Sequence, residues 1–181
     1  MADELEFDLT LYPTPVLRRP ALPVESFDDE LKAIVDAMYR RMRDSQGVGL
    51  AAPQVGLKKR ILVLSESGEE KDQRVYVNPE ILERSGPMVV FEEGCLSFPG
   101  IFAEVERPDV CRVKAFTVDG EPFEETLEGF VSRILQHEHD HLEGILLVDR
   151  MSAADKVRHK AALDDLVYRY KQERDARTAK R

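Results

Sequence analysis

Apolar residues recur at helical spacing over residues 27–44, where Leu31, Ile34, Val35, Met38 and Met42 share one face, Ser26 offers an N-cap and Gly47 a stop. Beyond Lys59 the period changes. Residues 61–64, 75–77, 88–91, 110–118 and 123–127 are short runs of branched and aromatic side chains, interrupted by Ser67-Gly68, Asn78-Pro79, Ser85-Gly86, Arg107-Pro108-Asp109 and Asp119-Gly120. Links this short join antiparallel neighbours, and no helical stretch between them is long enough for a parallel crossover. A helical period returns from residue 126 or 127 to 141. Leu127, Phe130, Val131, Ile134, Leu135 and Leu142 cover so much of its circumference that this helix is expected to be buried. Gly144 closes it, and residues 145–148 read as a short strand. Ser152, three residues before Asp155, opens a last helix with Val157, Ala161, Leu166 and Tyr170 as its packing stripe and fraying from about Glu173.

Pro13, Pro15, Pro20 and Pro23 make residues 1–26 an extended arm laid across the body, with no chemistry visible in it. No repeat or linker divides the chain, so residues 1–181 are expected to form one domain that ends in a basic helix and tail over 152–181. No apolar run reaches the roughly 18 residues that cross a bilayer. The acidic start, Met1 to Glu6, lacks a basic leader or an apolar signal core, which predicts the cytoplasm; there Cys95 and Cys111 stay free thiols. A net charge of −9 argues against DNA binding by the whole chain. Charge is uneven, however: nine Lys or Arg face four Asp or Glu between Lys156 and Arg181, a net +5 that leaves −14 to residues 1–155.

The buried helix carries the most specific chemistry, His137-Glu138-His139-Asp140-His141. His137 and His141 fall about 40° apart on the helical wheel and one turn apart along the axis, so both imidazoles reach one metal ion. Glu138 lies to one side, placed to take a proton from water as a general base. His139 falls on the opposite face and reads as a surface or partly packed ring. A metal site needs a third ligand. Cys111 alternates with Val110 and Val113 and reads as a core residue. Cys95 stands beside Gly94 in a turn-rich segment, where a thiolate could reach a metal or simply pack. The loop Gly47-Val48-Gly49-Leu50-Ala51-Ala52-Pro53-Gln54 has two readings, a tight helix-to-strand connection or a loop whose backbone lies against a substrate, with Gln54 as hydrogen-bond donor. With Cys95 added, one thiolate and two imidazoles leave a fourth tetrahedral position for water.

Residues 47–54, Glu93-Gly94-Cys95-Leu96-Ser97 and Gln136-His137-Glu138-His139-Asp140-His141-Leu142 resemble, in order and spacing, the three signature motifs of peptide deformylases of the compact bacterial and organellar type. The resemblance implies an α+β fold with antiparallel sheets packed around the metal-binding helix and a C-terminal helix. It implies a hydrolase that removes the formyl group from the N-terminal formylmethionine of nascent polypeptides. Its ion is Fe2+, with Zn2+, Ni2+ or Co2+ as substitutes, held by Cys95, His137 and His141. Glu138 would serve as general base, with the Gln54 amide and the Leu96 N–H stabilising the oxyanion. Val48, Phe130 and Ile134 would receive the methionine side chain, and Gly49 and the turn after Cys95 would offer backbone hydrogen bonds. Glu93 would pair with an arginine such as Arg107. A monomer is expected, and the basic C-terminal helix is a candidate contact with ribosomal RNA. Two alternatives stand beside this: a zinc peptidase with a ligand downstream of the motif, for which His159 is the only histidine, and a non-catalytic metal-binding or ribosome-binding protein.

Overall fold

The computed structural model describes residues 5–179. The acidic start at Met1 to Glu4 and the last two basic residues, on which the localisation and tail expectations partly rest, lie outside them. Asp28, rather than Ser26, caps the first helix, α1 (Asp29–Asp44), by accepting a hydrogen bond from the Leu31 N–H at 3.0 Å. Gln46, with φ of 56°, turns the chain out of α1 ahead of Gly47.

Five strands follow: β1 (Gly49–Ala51), β2 (Ile61–Leu64), β3 (Arg74–Cys95), β4 (Phe98–Phe116) and β5 (Pro122–Glu128). They pair antiparallel in sequence order as one five-stranded sheet, the α+β arrangement with antiparallel strands that was expected. The breaks expected at Asn78-Pro79, Ser85-Gly86 and Arg107-Pro108-Asp109 are absorbed within β3 and β4. The β3–β4 register shifts between Val77 and Glu80, between Ile81 and Glu83 and between Ser85 and Met88, so turn-forming residues become bulges that bend one long hairpin. Asn78 takes the positive φ that its bulge requires, at 51°. Its amide then bonds the Val24 N–H at 2.7 Å and the Val24 carbonyl at 2.9 Å.

The sheet is covered on both faces, which is why β2 is apolar throughout. Ile61 and Val63 pack with Leu31, Ile34, Met38 and Met42 of α1. Leu62 and Leu64 face the other way, against Ile134 and Leu135 of α2 (Gly129–Leu142). Thr126 and Leu127, expected in that helix, belong to β5, and Gly129 starts it at φ 63°. Cys111 is fully buried in the same cluster, as its strand pattern indicated. A third cluster gathers Leu17, Phe98, Ile101, Val105, Leu146, Leu147, Met151 and Leu166 around the hairpin end.

Three elements depart from the pattern near the C-terminus. Residues 145–148 do not form a strand; a helical turn, α3 (Leu147–Arg150), follows Leu146. Ser152 caps α4 (Ala153–Arg158), as its spacing to Asp155 indicated, but the helix breaks at His159 before α5 (Lys160–Ala179). The packing contact comes from Leu163 and Leu166, while Val157 is 77% exposed and Ala161 is exposed too, because the break rotates α5 relative to α4. The arm over residues 5–26 is more than a wrap. Its Thr10 N–H donates to the Gln54 carbonyl at 2.7 Å, its Tyr12 N–H to the Ser97 carbonyl at 3.0 Å, and its Ala21 N–H to the Leu142 carbonyl at 2.8 Å.

Asn78→Ala removes both bonds to Val24 and puts a β-carbon at a positive φ. The expected loss is about 3 kcal/mol of unfolding free energy, read from urea denaturation, with Asn78→Gly losing less because it keeps the backbone conformation.

Candidate metal centre

The third motif is part of α2, which is buried from Ser132 to Leu142. Burying this many polar side chains is costly unless each has a partner, and the partners define the site. Cys95 ends β3 at a two-residue turn, Leu96-Ser97, before pairing with Phe98. That tight hairpin puts its Sγ 3.3 Å from His141 Nε2. One ligand atom from each of Cys95, His137 and His141 lies within 4.8 Å of the others.

These separations suit one ion: typical metal–sulfur and metal–nitrogen bonds at a tetrahedral angle put the donors about 3.6 Å apart. The electrostatics fit as well. Burial opposes a charge on His137, but its hydrogen bonds to Cys95 and Glu93 hold its pKa well above the ordinary value, and a metal ion would take the place of the ring's second proton. Burial, then the neighbouring His137, keeps the His141 pKa well below the ordinary value, leaving a neutral ring whose lone pair is free to bind.

His137 is aimed by Glu93. A carboxylate can only accept, so His137 Nδ1–H donates to Glu93 Oε2 at 2.9 Å and Nε2 is left for the metal. Glu93 also accepts from Arg107 Nε at 2.7 Å and Nη2 at 3.0 Å, and from Arg133 Nη1 at 2.7 Å. Burial would raise its pKa, but the His137 and Arg107 hydrogen bonds win and hold it well below the carboxylate range. Arg107 continues to Asp140 at 2.9 Å, which Arg150 grips at 2.6 and 3.0 Å. The Glu93–Arg107 pair was anticipated. Arg133 and Asp140 were not, although their signal was present: two charged residues inside the otherwise buried helix.

Glu138 lines the cavity beside His137. Its Oε2 is buried without a hydrogen-bond partner, and desolvation pushes its pKa up to about 7. Gly49 meets it closely: a β-carbon there would stand 2.5 Å from Glu138 Oε1 and 2.8 Å from Ile134 Cγ2, so only glycine fits. Gln54 is buried behind the thiolate. Its Oε1 accepts from the Ala51 N–H at 2.8 Å, which turns Nε2 toward Cys95 Sγ at 3.6 Å and Ser97 Oγ at 3.3 Å. The Ser97 hydroxyl, also unanticipated, donates a hydrogen bond to the Thr10 carbonyl at 2.8 Å. His139 is packed rather than exposed, and burial lowers its pKa to about 4, so it is neutral and outside the cluster.

A cavity of about 650 Å³ opens over His137, Glu138 and Cys95. Val48, Gly49, Leu96, Phe130 and Ile134 line it, whereas Gln54 and His141 do not. Phe130 leans on Phe91, ring centroids 5.8 Å apart, and Phe91 in turn stacks on the Arg133 guanidinium at 5.6 Å. Arg133 also donates to the Val105 and Val89 carbonyls at 3.0 and 2.6 Å, tying α2 to the hairpin.

Glu93→Gln leaves both arginines short of a counter-charge and His137 with a weaker acceptor. Expected are a 10- to 100-fold loss of metal affinity in chelator competition and a destabilisation of about 3 kcal/mol in denaturant.

A family model described as polypeptide deformylase matches residues 7–157. The peptide deformylase of Thermotoga sp. strain RQ2 is 43% identical over 175 residues, covering 97% of this chain and 99% of that protein. Peptide deformylase 1B, chloroplastic/mitochondrial, of Arabidopsis thaliana is 45% identical over 157 residues, 83% of this chain and 58% of its own length. A solved peptide deformylase from Plasmodium falciparum superposes with a TM-score of 0.89 at 41% identity, covering 91% of this chain and 98% of that one.

Proposed function

The chain belongs to the polypeptide deformylase family, and we propose that Cys95, His137 and His141 hold one Fe2+ ion at the floor of the cavity, beside Glu138 as the proton carrier. The reaction is metal-dependent removal of the formyl group from the N-terminal formylmethionine of nascent polypeptides, with release of formate and a free α-amine. The observation that carries the assignment of residues is the meeting, within 4.8 Å, of a hairpin thiolate and two helix imidazoles under an open cavity. It also favours this reading over a peptidase with a ligand downstream of the motif. His159, the only histidine downstream of the motif, lies at the α4 C-terminus outside the cluster, and no downstream carboxylate among the described residues joins it.

When bound, the ion polarises the formyl carbonyl and makes a nucleophile of water near neutral pH. Glu138, freed from any hydrogen bond and poised by desolvation, takes up the water proton and returns it to the departing amine. The Gln54 amide, fixed through Ala51, and the Leu96 N–H at the hairpin turn donate to the oxyanion. Val48, Phe130 and Ile134 enclose the methionine side chain, and Gly49 lets the peptide backbone approach Glu138. Thiolate and imidazole ligands can hold Fe2+, and also Zn2+, Ni2+ or Co2+.

Residues 1–181 are read as one catalytic domain, supported by the way the arm and α5 both reach the cluster around the hairpin end. The domain acts as a monomer in the cytoplasm, where the free thiols Cys95 and Cys111 suit a reducing medium. No helix among the described residues is long and apolar enough to cross a membrane. The surplus positive charge of residues 156–181 is read as a contact with ribosomal RNA; within α5, Lys160, Arg169, Arg174 and Arg177 already pair with nearby acids, so the contact relies on the others.

Anaerobically purified, Fe2+-loaded protein is expected to release formate from formyl-Met-Ala-Ser and to leave internal peptide bonds of unformylated peptides intact. Glu138→Gln and Gln54→Ala should each retain the metal and lose at least 100-fold in kcat; wild-type turnover in either removes that residue from the mechanism. Ribosome co-sedimentation should disappear when residues 160–181 are deleted, and its persistence would exclude α5 as the contact.

A further inference from the structure

The cavity over the metal cluster extends to the last turn of α1, where Arg41, Asp44, Ser45 and Gln46 line it. Two polar atoms there are shielded from solvent and meet no hydrogen-bond partner, the Nε–H of Arg41 and the hydroxyl of Ser45. The two residues are four apart on α1 and its cap, so they share a face. Arg41 has no ion pair among the described residues, although Asp44 is only three residues away. The other cavity-lining cation, Arg133, is consumed by Glu93 and by two backbone carbonyls. Asp44 and Glu92, the acidic groups of the rim, are exposed to water. A guanidinium bonds most strongly to a carboxylate, and that of Arg41 lines the cavity without one. What this end of the cavity lacks is therefore an anionic acceptor, and the open cavity lets a ligand bring one.

Resting on the deformylase reading, we propose that Arg41 and Ser45 form a subsite for a carboxylate in the peptide segment that follows formylmethionine. The terminal N–H groups of the Arg41 guanidinium donate to it, beside Ser45. The carboxylate comes from an acidic side chain or from the free C-terminus of a short peptide. The subsite makes Arg41 a specificity determinant with no part in the bond-breaking steps.

The test compares kcat/KM for formyl-Met-Ala-Glu-Ser, -Gln-Ser and -Lys-Ser peptides, all C-terminally amidated, with formyl-Met-Ala-Ala as acid and amide as a separate pair. The Glu peptide should exceed the Gln peptide about fivefold to tenfold at low salt, the half-exposed guanidinium keeping the gain below that of a buried pair. Arg41→Ala should bring the ratio near one, and Arg41→Glu should reverse it in favour of Lys, a gain that a misfolded variant cannot show. Affinities of the deformylated product peptides, measured by calorimetry, should follow the same order. They judge the subsite even where no formate appears, an outcome that would count against the activity alone. No advantage for either carboxylate, or an advantage that survives in Arg41→Ala, overturns the proposal.

Discussion

Glu93 accepts four hydrogen bonds, two on each carboxylate oxygen, from Arg107, Arg133 and His137. This uses all the lone-pair capacity of a carboxylate. The donors come from two elements that are far apart in sequence, β4 and α2, and Glu93 itself sits on β3 two residues before Cys95. One buried anion therefore fixes the position of the hairpin on the helix and the direction of His137 together. The pairing with guanidinium groups makes the burial tolerable, and removal of either side leaves an unpaired charge in the interior. Stability and geometry of the metal cluster cannot be separated here, since the same oxygen that neutralises Arg107 also orients the imidazole.

A second constraint is steric. The chain between α1 and β1 passes so close to α2 that Gly49 could not carry a β-carbon without striking Glu138 and Ile134. Gly47 is similarly placed against Leu96 Cδ1, 2.7 Å from its virtual β-carbon, and Gly94 against the Phe102 ring at the same distance. The first motif thus spends two glycines on proximity to the other two. The first touches the second through Gly47 and the third through Gly49. The arm adds a further tie, because Thr10 and Tyr12 hold the backbone at Gln54 and Ser97.

The parts of this arrangement that were legible in the sequence are those governed by local spacing. Residues one helical turn apart must share a face, so the relation of His137 to His141 followed from number alone, as did the exclusion of His139. The strand at residues 61–64 and the burial of Cys111 within an alternating run were legible for the same reason. Asn78, Gly86 and Pro108 misled because a bulge and a turn use the same residues, and only the partner strand decides between them. The helical turn at Leu147–Arg150 was hidden because a short apolar run is compatible with either state until its contacts are known. Arg133 and Asp140 were visible as charges in an apolar helix, but their partners lie 28 to 44 residues away or across a turn, and no local rule names them.

Gln54 shows how far the placement of a side chain can depend on such non-local links. Its oxygen is claimed by the Ala51 N–H, which leaves its amide no choice but to face the thiolate and Ser97. Ser97 can accept from that amide because its own proton goes to Thr10 on the arm. A donor held in this way loses little on meeting a developing negative charge, since its orientation was fixed during folding and no reorganisation is required at the moment of reaction. The arm, which carries no reactive group, therefore settles the direction of a hydrogen bond two residues removed from it.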